Sequence, residues 1–302
     1  MRKTVQLAAA LPAVCRLGLA TRGNTHLRRE DVEYAIGRGV NYLNWCGKSD
    51  GMSRAIAGLG TRRRDVVVAV QFQARNAEEA EREFDRLLDE LKTDYLDVVT
   101  LYYVEAEHEW RAITGSNGAW SLLAKRKEAG TLKMIGLTSH QRELATSWAR
   151  QVVPPGERSS SPSATPEVGG SVKEELVAAT HRHLDMLMIR YNAAHRGAER
   201  EVFPVTRELR LPVVTFTGLR WKALLQATPD DPRGFSPPSA ADCYRFCLSN
   251  PDVSVALSAP GNRAQLDENL ALLEDWRSLD TVSLETIRNH GDRVRRHAGE
   301  FW

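Results

Sequence analysis

At 302 residues, 42% of them hydrophobic and 26% charged, the chain has an ordinary globular composition, with room for one large domain or two smaller ones. A formal charge of +2 with no long single-sign run speaks against nucleic acid or a membrane surface as partner. No apolar run of about 18 residues is present to span a bilayer, and the partner expected is a small-molecule substrate or ligand.

Cys15, Cys46, Cys243 and Cys247 show neither metal-ligand pairing with histidine nor dense disulfide spacing, which fits a reducing cytoplasm and no metal. The opening MRKTVQLAAALPAVC imitates a secretory signal, but Pro12 interrupts its apolar part and Val14 is a poor residue before a processing site. Cleavage there would also sit against the first strand.

In chain order, Arg16 to Thr21 reads as strand one and Arg29 to Gly39 as a helix with acids in its first turn. Residues 41 to 46 (NYLNWC) make strand two, Met52 to Arg62 a helix, and residues 66 to 72 (VVVAVQF) a fully buried strand three. Ala77 to Lys92 carries Ala80, Phe84, Leu87, Leu88 and Leu91 on one stripe, the helical period. Tyr95 to Glu105 (YLDVVTLYYVE) is strand four. Alternation sets Val98, Thr100, Tyr102 and Val104 on one face and Val99, Leu101 and Tyr103 on the other.

There follow helix Ala119–Ala129, strand Lys133–Ser139, helix Gln141–Gln151, strand Leu184–Asn192, helix Arg200–Arg210 and strand Pro212–Gly218. Helix Ala240–Ser249, strand Val253–Ala259 and helix Arg263–Trp276 complete eight strands alternating with eight helices. Strict alternation implies a parallel sheet, and eight units favour a closed (β/α)8 TIM barrel, an α/β fold. No G-x-G-x-x-G opens the chain, which disfavours an open dinucleotide-binding sheet. Leu284 to His297 is an extra C-terminal helix, and its RNHGDRVRR stretch reads as a solvated face.

The chain is thus expected to be a single barrel over 1–302, with one interruption. Residues 152–170 (VVPPGERSSSPSATPEVGG) form a Pro/Ser/Gly-rich insertion, expected to be flexible. Lying after a helix and before a strand, it belongs to the face away from the chemistry.

RLGLAT, GVNYLNWC, DELKTDYLDVV, KMIGLTS, RYNAAHRGAEREVFP, VVTFTGL and QLDENLALL lie in the order in which similar pieces occur in the aldo-keto reductases, and over nearly the whole chain the sequence resembles that family. The resemblance implies an NADP(H)-dependent oxidoreductase that binds its cofactor extended across the barrel mouth. In the family an Asp, a Tyr, a Lys and a His reduce carbonyls, the tyrosine acting as general acid.

This chain departs at all four positions. Asn44 stands for the Asp, Ser49 for the Tyr, Gln71 for the Lys and Tyr102 for the His. Losing acid and base together leaves no unpaired buried charge. Losing a positioned general acid costs about 10² to 10⁴ in rate, so standard carbonyl reduction is not expected. Tyr102 either supplies a substitute acid or fills space left by smaller neighbours. An ordinary phenol, pKa about 10, needs a nearby cation to act at neutral pH, and Lys48 and Arg190 are the candidates. Cys46, facing inward with Asn44, is either reactive or simply packed.

For the cofactor, Thr138 and Ser139 match the family's Ser-Asn pair at the nicotinamide amide, whereas Met188 replaces the glutamine that completes the grip. Phe216 matches the ring that stacks on the nicotinamide. Thr217 and Leu219, with Gly218 and Arg220, occupy the pyrophosphate turn, and Thr21 ends strand one at the mouth. Glu268 and Asn269 match adenine contacts, and Asn262 and Arg263 lie where the 2′-phosphate is read. His140 and His195 are each either ligand contacts or turn residues.

Three functions stay open: an NADP(H)-dependent oxidoreductase with a rebuilt acid, a catalytically silent NADP(H)-binding barrel acting as sensor or partner, and a non-redox barrel enzyme using Tyr102, Glu105, Arg190 and His140.

Overall fold

A computed structural model describes residues 1–21, 27–151 and 184–297. The Pro/Ser/Gly-rich stretch at 152–170 lies outside the described residues.

Eight parallel strands close on themselves in chain order: β1 (Leu17–Ala20), β2 (Tyr42–Trp45), β3 (Val67–Phe72), β4 (Leu96–Leu101), β5 (Leu132–Ser139), β6 (Met186–Arg190), β7 (Val213–Phe216) and β8 (Val253–Ser258). Around them lie α1 (Arg29–Gly37), α2 (Gly51–Ala57), α3 (Ala77–Leu91), α4 (Glu107–Thr114), α5 (Ala119–Glu128), α6 (Arg142–Arg150), α7 (Ala198–Glu201), α8 (Phe203–Leu209), α9 (Ala240–Ser249) and α10 (Arg263–Leu270). A last helix, α11 (Thr281–His297), is the extra C-terminal one. The fold is a (β/α)8 barrel.

The period-two pattern separates two apolar layers. Tyr42, Val67, Ala69, Val98, Met134 and Met186 fill the barrel, whereas Leu43, Val68, Val99 and Ile135 face the helices. Gly136 leaves room for this interior, since a Cβ there would come within 2.8 Å of Met186 Cγ. Outside, Ala80, Phe84, Leu87 and Leu91 of α3 bury the expected stripe. That helix starts where the Asn76 side chain accepts from Glu79 N (2.9 Å) and stops where Lys92 turns left-handed at φ 52°.

Three features lie outside the sequence reading. A hairpin, Thr4–Val5 paired with Val14–Cys15, precedes β1, and Leu7, Leu11 and Val14 pack on the barrel's interior cluster. The buried pair Arg63–Asp97 (2.7 Å) ties the turn before β3 to β4, and Asp97 also accepts from Val68 N of β3 (2.9 Å). Helix α11 lies across the loops that follow β6 and β7. His290 Nε2 donates to the Leu224 carbonyl (3.0 Å), Arg196 pairs with Asp292 (2.9 Å), and a Cβ on Gly291 would lie 2.3 Å from Ala193 O. Among the described residues no helix is long and apolar enough to cross a membrane.

Candidate active site

In a barrel of this kind the strand carboxyl ends carry the chemistry. Asn44 and Gln71 are both buried there, and the interior parity of β2 and β3 aims them inward with Tyr42 and Ala69. Asn44 Oδ1 has no hydrogen-bond partner among the described residues, nor has the buried Thr138 Oγ1 at the end of β5. Thr138 pairs in register with Met188, an interior residue, and Phe216 closes the same interior cluster at the end of β7.

Ser49 is elsewhere. It is exposed and donates to Glu90 of α3 (2.6 Å), which also accepts from Ser53 (2.9 Å), so the segment before α2 is tied to the outside of the barrel. Lys48 is exposed. Cys46 packs in the outer layer with its thiol 3.9 Å from Asp50 Oδ2, correcting the inward placement expected for it.

Strand four supplies a second correction. It ends at Leu101 rather than Glu105, because Tyr103 takes a left-handed backbone (φ 45°) that breaks the alternation. Tyr103, not Tyr102, is therefore the ring that packs on the interior cluster, and Val104 belongs to the outer layer. Tyr102 stacks on Tyr103 with ring centroids 4.0 Å apart. Its backbone is held on both sides: Tyr102 N donates to Phe72 O (2.9 Å), and Arg75 Nη2 donates to Tyr102 O (2.7 Å).

Tyr103 leads to a cluster the sequence pattern does not show. Its ring lies 4.5 Å from that of His140 and 6.5 Å from Phe216, and His140 meets Phe216 edge-on at 5.7 Å. His140 is fixed by Glu105, which accepts from the His140 backbone (2.9 and 3.2 Å) and from its Nδ1 (2.9 Å). Burial alone would raise the Glu105 carboxyl. The hydrogen bonds from the His140 ring and backbone and from the Gln141 backbone outweigh it, and the group sits below the usual carboxylate range.

The β6–β7 side is strongly cationic. Arg190 is half-buried at the end of β6. Burial and nearby Arg142 depress it, while Tyr103 and Glu105 pull the other way. Buried Arg220 is lowered by burial and by Arg190. Between them, burial and then Arg220, Arg190, Arg295 and Arg142 bring His195 down to about 4, so it is neutral at physiological pH. The turn that carries Arg220 is strained: Thr217, Arg220, Trp221 and Lys222 all have positive φ (61°, 49°, 55° and 73°). Asn192 ties it to β6, donating to Thr217 O (2.8 Å) while its Oδ1 accepts from Ala194 and His195 N (both 2.9 Å). Leu219 is partly buried against the outer layer.

The remaining candidates divide. Thr21 is buried, with its backbone N on Asn44 O (3.0 Å), and Ser139 Oγ accepts from Gln141 N (3.0 Å). Asn262 caps α10 by accepting from Gln265 N (3.0 Å). Exposed Glu268 faces outward, whereas Asn269 is buried and donates to Ser258 Oγ (2.9 Å), an internal role. Arg263 is engaged by Asp31 and Asp267 (both 3.2 Å) and lies over the Tyr34 ring at 3.4 Å. Two carboxylates thus already share the charge expected to read a 2′-phosphate.

The sequence profile of the Aldo/keto reductase family matches residues 17–242, most of the chain, and the chain belongs to that family. Its fold is similar to the holo form of an aldo-keto reductase from Bacillus halodurans, at TM-score 0.67 and 16% identity over 95% of this chain and 96% of that one. It is also similar to an aldo/keto reductase from Klebsiella pneumoniae solved with NADP and acetate, at TM-score 0.64 and 17% identity over 93% and 92%. A third, from Brucella melitensis, aligns at TM-score 0.64 and 16% identity over 95% and 97%. No curated protein matches the sequence.

Proposed function

We propose that the protein is an NADP(H)-dependent oxidoreductase of small carbonyl compounds or alcohols whose proton-transfer apparatus has been rebuilt. The observation that carries this reading is the pairing, at one mouth, of an apolar platform with unspent polar atoms. Phe216 closes the interior cluster at the end of β7, and at the end of β5, two strands away, Thr138 Oγ1 is buried without a partner among the described residues, a fit for the amide of a planar ring. Arg220 and Arg190, buried or half-buried and mutually repelling, suit an anionic pyrophosphate. When bound, the cofactor would supply a hydride. The chain's own residues would orient it, exclude water and move the proton.

Asn44 and Gln71 cannot do that proton work as the family's Asp and Lys would, and Ser49 is bonded to Glu90. The same facts favour a second reading, a barrel that binds the cofactor without turnover. Fluorescence titration with NADPH, NADP⁺ and NADH tests what the two readings share. Binding in the micromolar range or weaker, with at most a modest preference for NADPH, supports both. No binding at millimolar cofactor removes both.

A further inference from the structure

We propose that Glu105 and His140 are the proton-transfer pair of this mouth, His140 Nε2 donating to a carbonyl oxygen in place of the family's tyrosine. This deepens the cofactor reading and rests on it. His140 immediately follows β5, so its ring stands where Thr138 and Ser139 end the strand, edge-on to Phe216 at 5.7 Å. Glu105 accepts from both the ring Nδ1 and the backbone N of His140, which fixes the ring's orientation as a carboxylate does in known acid–base pairs. With Nδ1 on Glu105, Nε2 is the ring nitrogen left to exchange a proton. Among the described residues, Tyr103 beyond β4 packs on the His140 ring, Arg190 at the end of β6 interacts with Tyr103 and Glu105, and Arg142, on the helix that begins just after His140, is paired with Glu201.

The step balances. When bound, the reduced nicotinamide would supply the carbonyl carbon with a hydride, two electrons and one proton, and the C=O π pair would move onto oxygen. That oxygen takes the Nε2 proton as the Nε2–H bond breaks, the imidazolium becomes a neutral imidazole with Nδ1–H still on Glu105, and solvent reprotonates it. In the reverse direction neutral Nε2 accepts the alcohol proton. Reduction should therefore slow as pH rises and oxidation should quicken.

Two measurements test the pair. In cofactor-free protein, ¹⁵N NMR of the histidine rings should show neutral His140 as the Nδ1–H tautomer, and Glu105→Gln should mix the tautomers. An Nε2–H tautomer in the wild type, or spectra indifferent to Glu105→Gln, overturns the proposal whatever the activity. In turnover of an aldehyde panel with NADPH, His140→Gln should lower kcat by about 10² to 10⁴ with cofactor Kd within about twofold. The alkaline fall in reduction rate should shift in Glu105→Gln and vanish in His140→Gln. Full activity of His140→Gln with its pH profile intact overturns the proposal, as does cofactor binding by the wild type without turnover of any aldehyde. Absence of cofactor binding strikes the underlying cofactor reading instead.

Discussion

Replacing Phe216 by leucine isolates the platform on which the proposed cofactor rests. The ring is 8% exposed and packs on the interior cluster at the mouth, touching His140 edge-on at 5.7 Å. Truncation to alanine would confound the result, since emptying a buried phenylalanine site costs about 3–5 kcal/mol of stability. Leucine keeps the apolar fill and removes the flat face. Stacking of a planar base on an aromatic ring is worth about 1–3 kcal/mol, which at about 1.4 kcal/mol per tenfold predicts Kd for NADPH raised about 5- to 150-fold. NADH should weaken by the same factor, because the platform meets the half of the molecule that the two cofactors share. Fluorescence titration reads the affinities and urea denaturation confirms the fold. Kd unchanged within twofold in a stably folded Phe216→Leu protein would refute the placement of the nicotinamide ring.

At the other end of the proposed cofactor site, Asp267→Asn should relieve Arg263 of one of its two carboxylates and tighten NADPH by a few-fold (about 2- to 5-fold) without changing NADH, an effect shrinking at high salt. Arg263→Ala should do the reverse, and equal shifts for both cofactors would remove Arg263 from 2′-phosphate recognition. Below the strands, Asp97→Asn leaves the Arg63 guanidinium buried without its counter-charge and should cost about 3–5 kcal/mol in urea denaturation. Because folding lowers His195 from 6.5 to about 4, the folded state binds fewer protons than the unfolded one between those values. Its contribution is present above pH 6.5 and lost as pH falls toward 4. Thermal melts should show that loss, and His195→Asn should flatten the melting temperature across the window.

The barrel was legible because its signals are local and repeated. The Val67–Val70 run and the stripe of α3 each announce their element, and eight such units leave few architectures. Asn44 and Gln71 were placed by the family resemblance, and strand parity, which holds within the strands, turns both inward. Parity failed where the strand ended: the left-handed backbone of Tyr103 passes the inward position from Tyr102 to Tyr103, and a non-glycine residue at φ 45° gives no sequence signal. Polar pairings were also illegible. Glu105 and His140 are 35 positions apart, and Asp31 reaches Arg263 across 232. Only the closed sheet brings them together. Ser49 shows the complementary limit, since a family position can be aligned by counting while its side chain is tied to Glu90.

Isotope transfer tests the central claim most directly. Wild-type protein is incubated with NADPH carrying deuterium at both nicotinamide C4 positions and a panel of small aldehydes, and the alcohols are examined by mass spectrometry and ¹H NMR. A redox barrel with a working mouth should place one deuterium on the carbinol carbon of at least one alcohol, in step with cofactor oxidation. Cofactor bound but no deuterium transferred to any member of the panel would contradict the oxidoreductase reading and leave the binding barrel in its place.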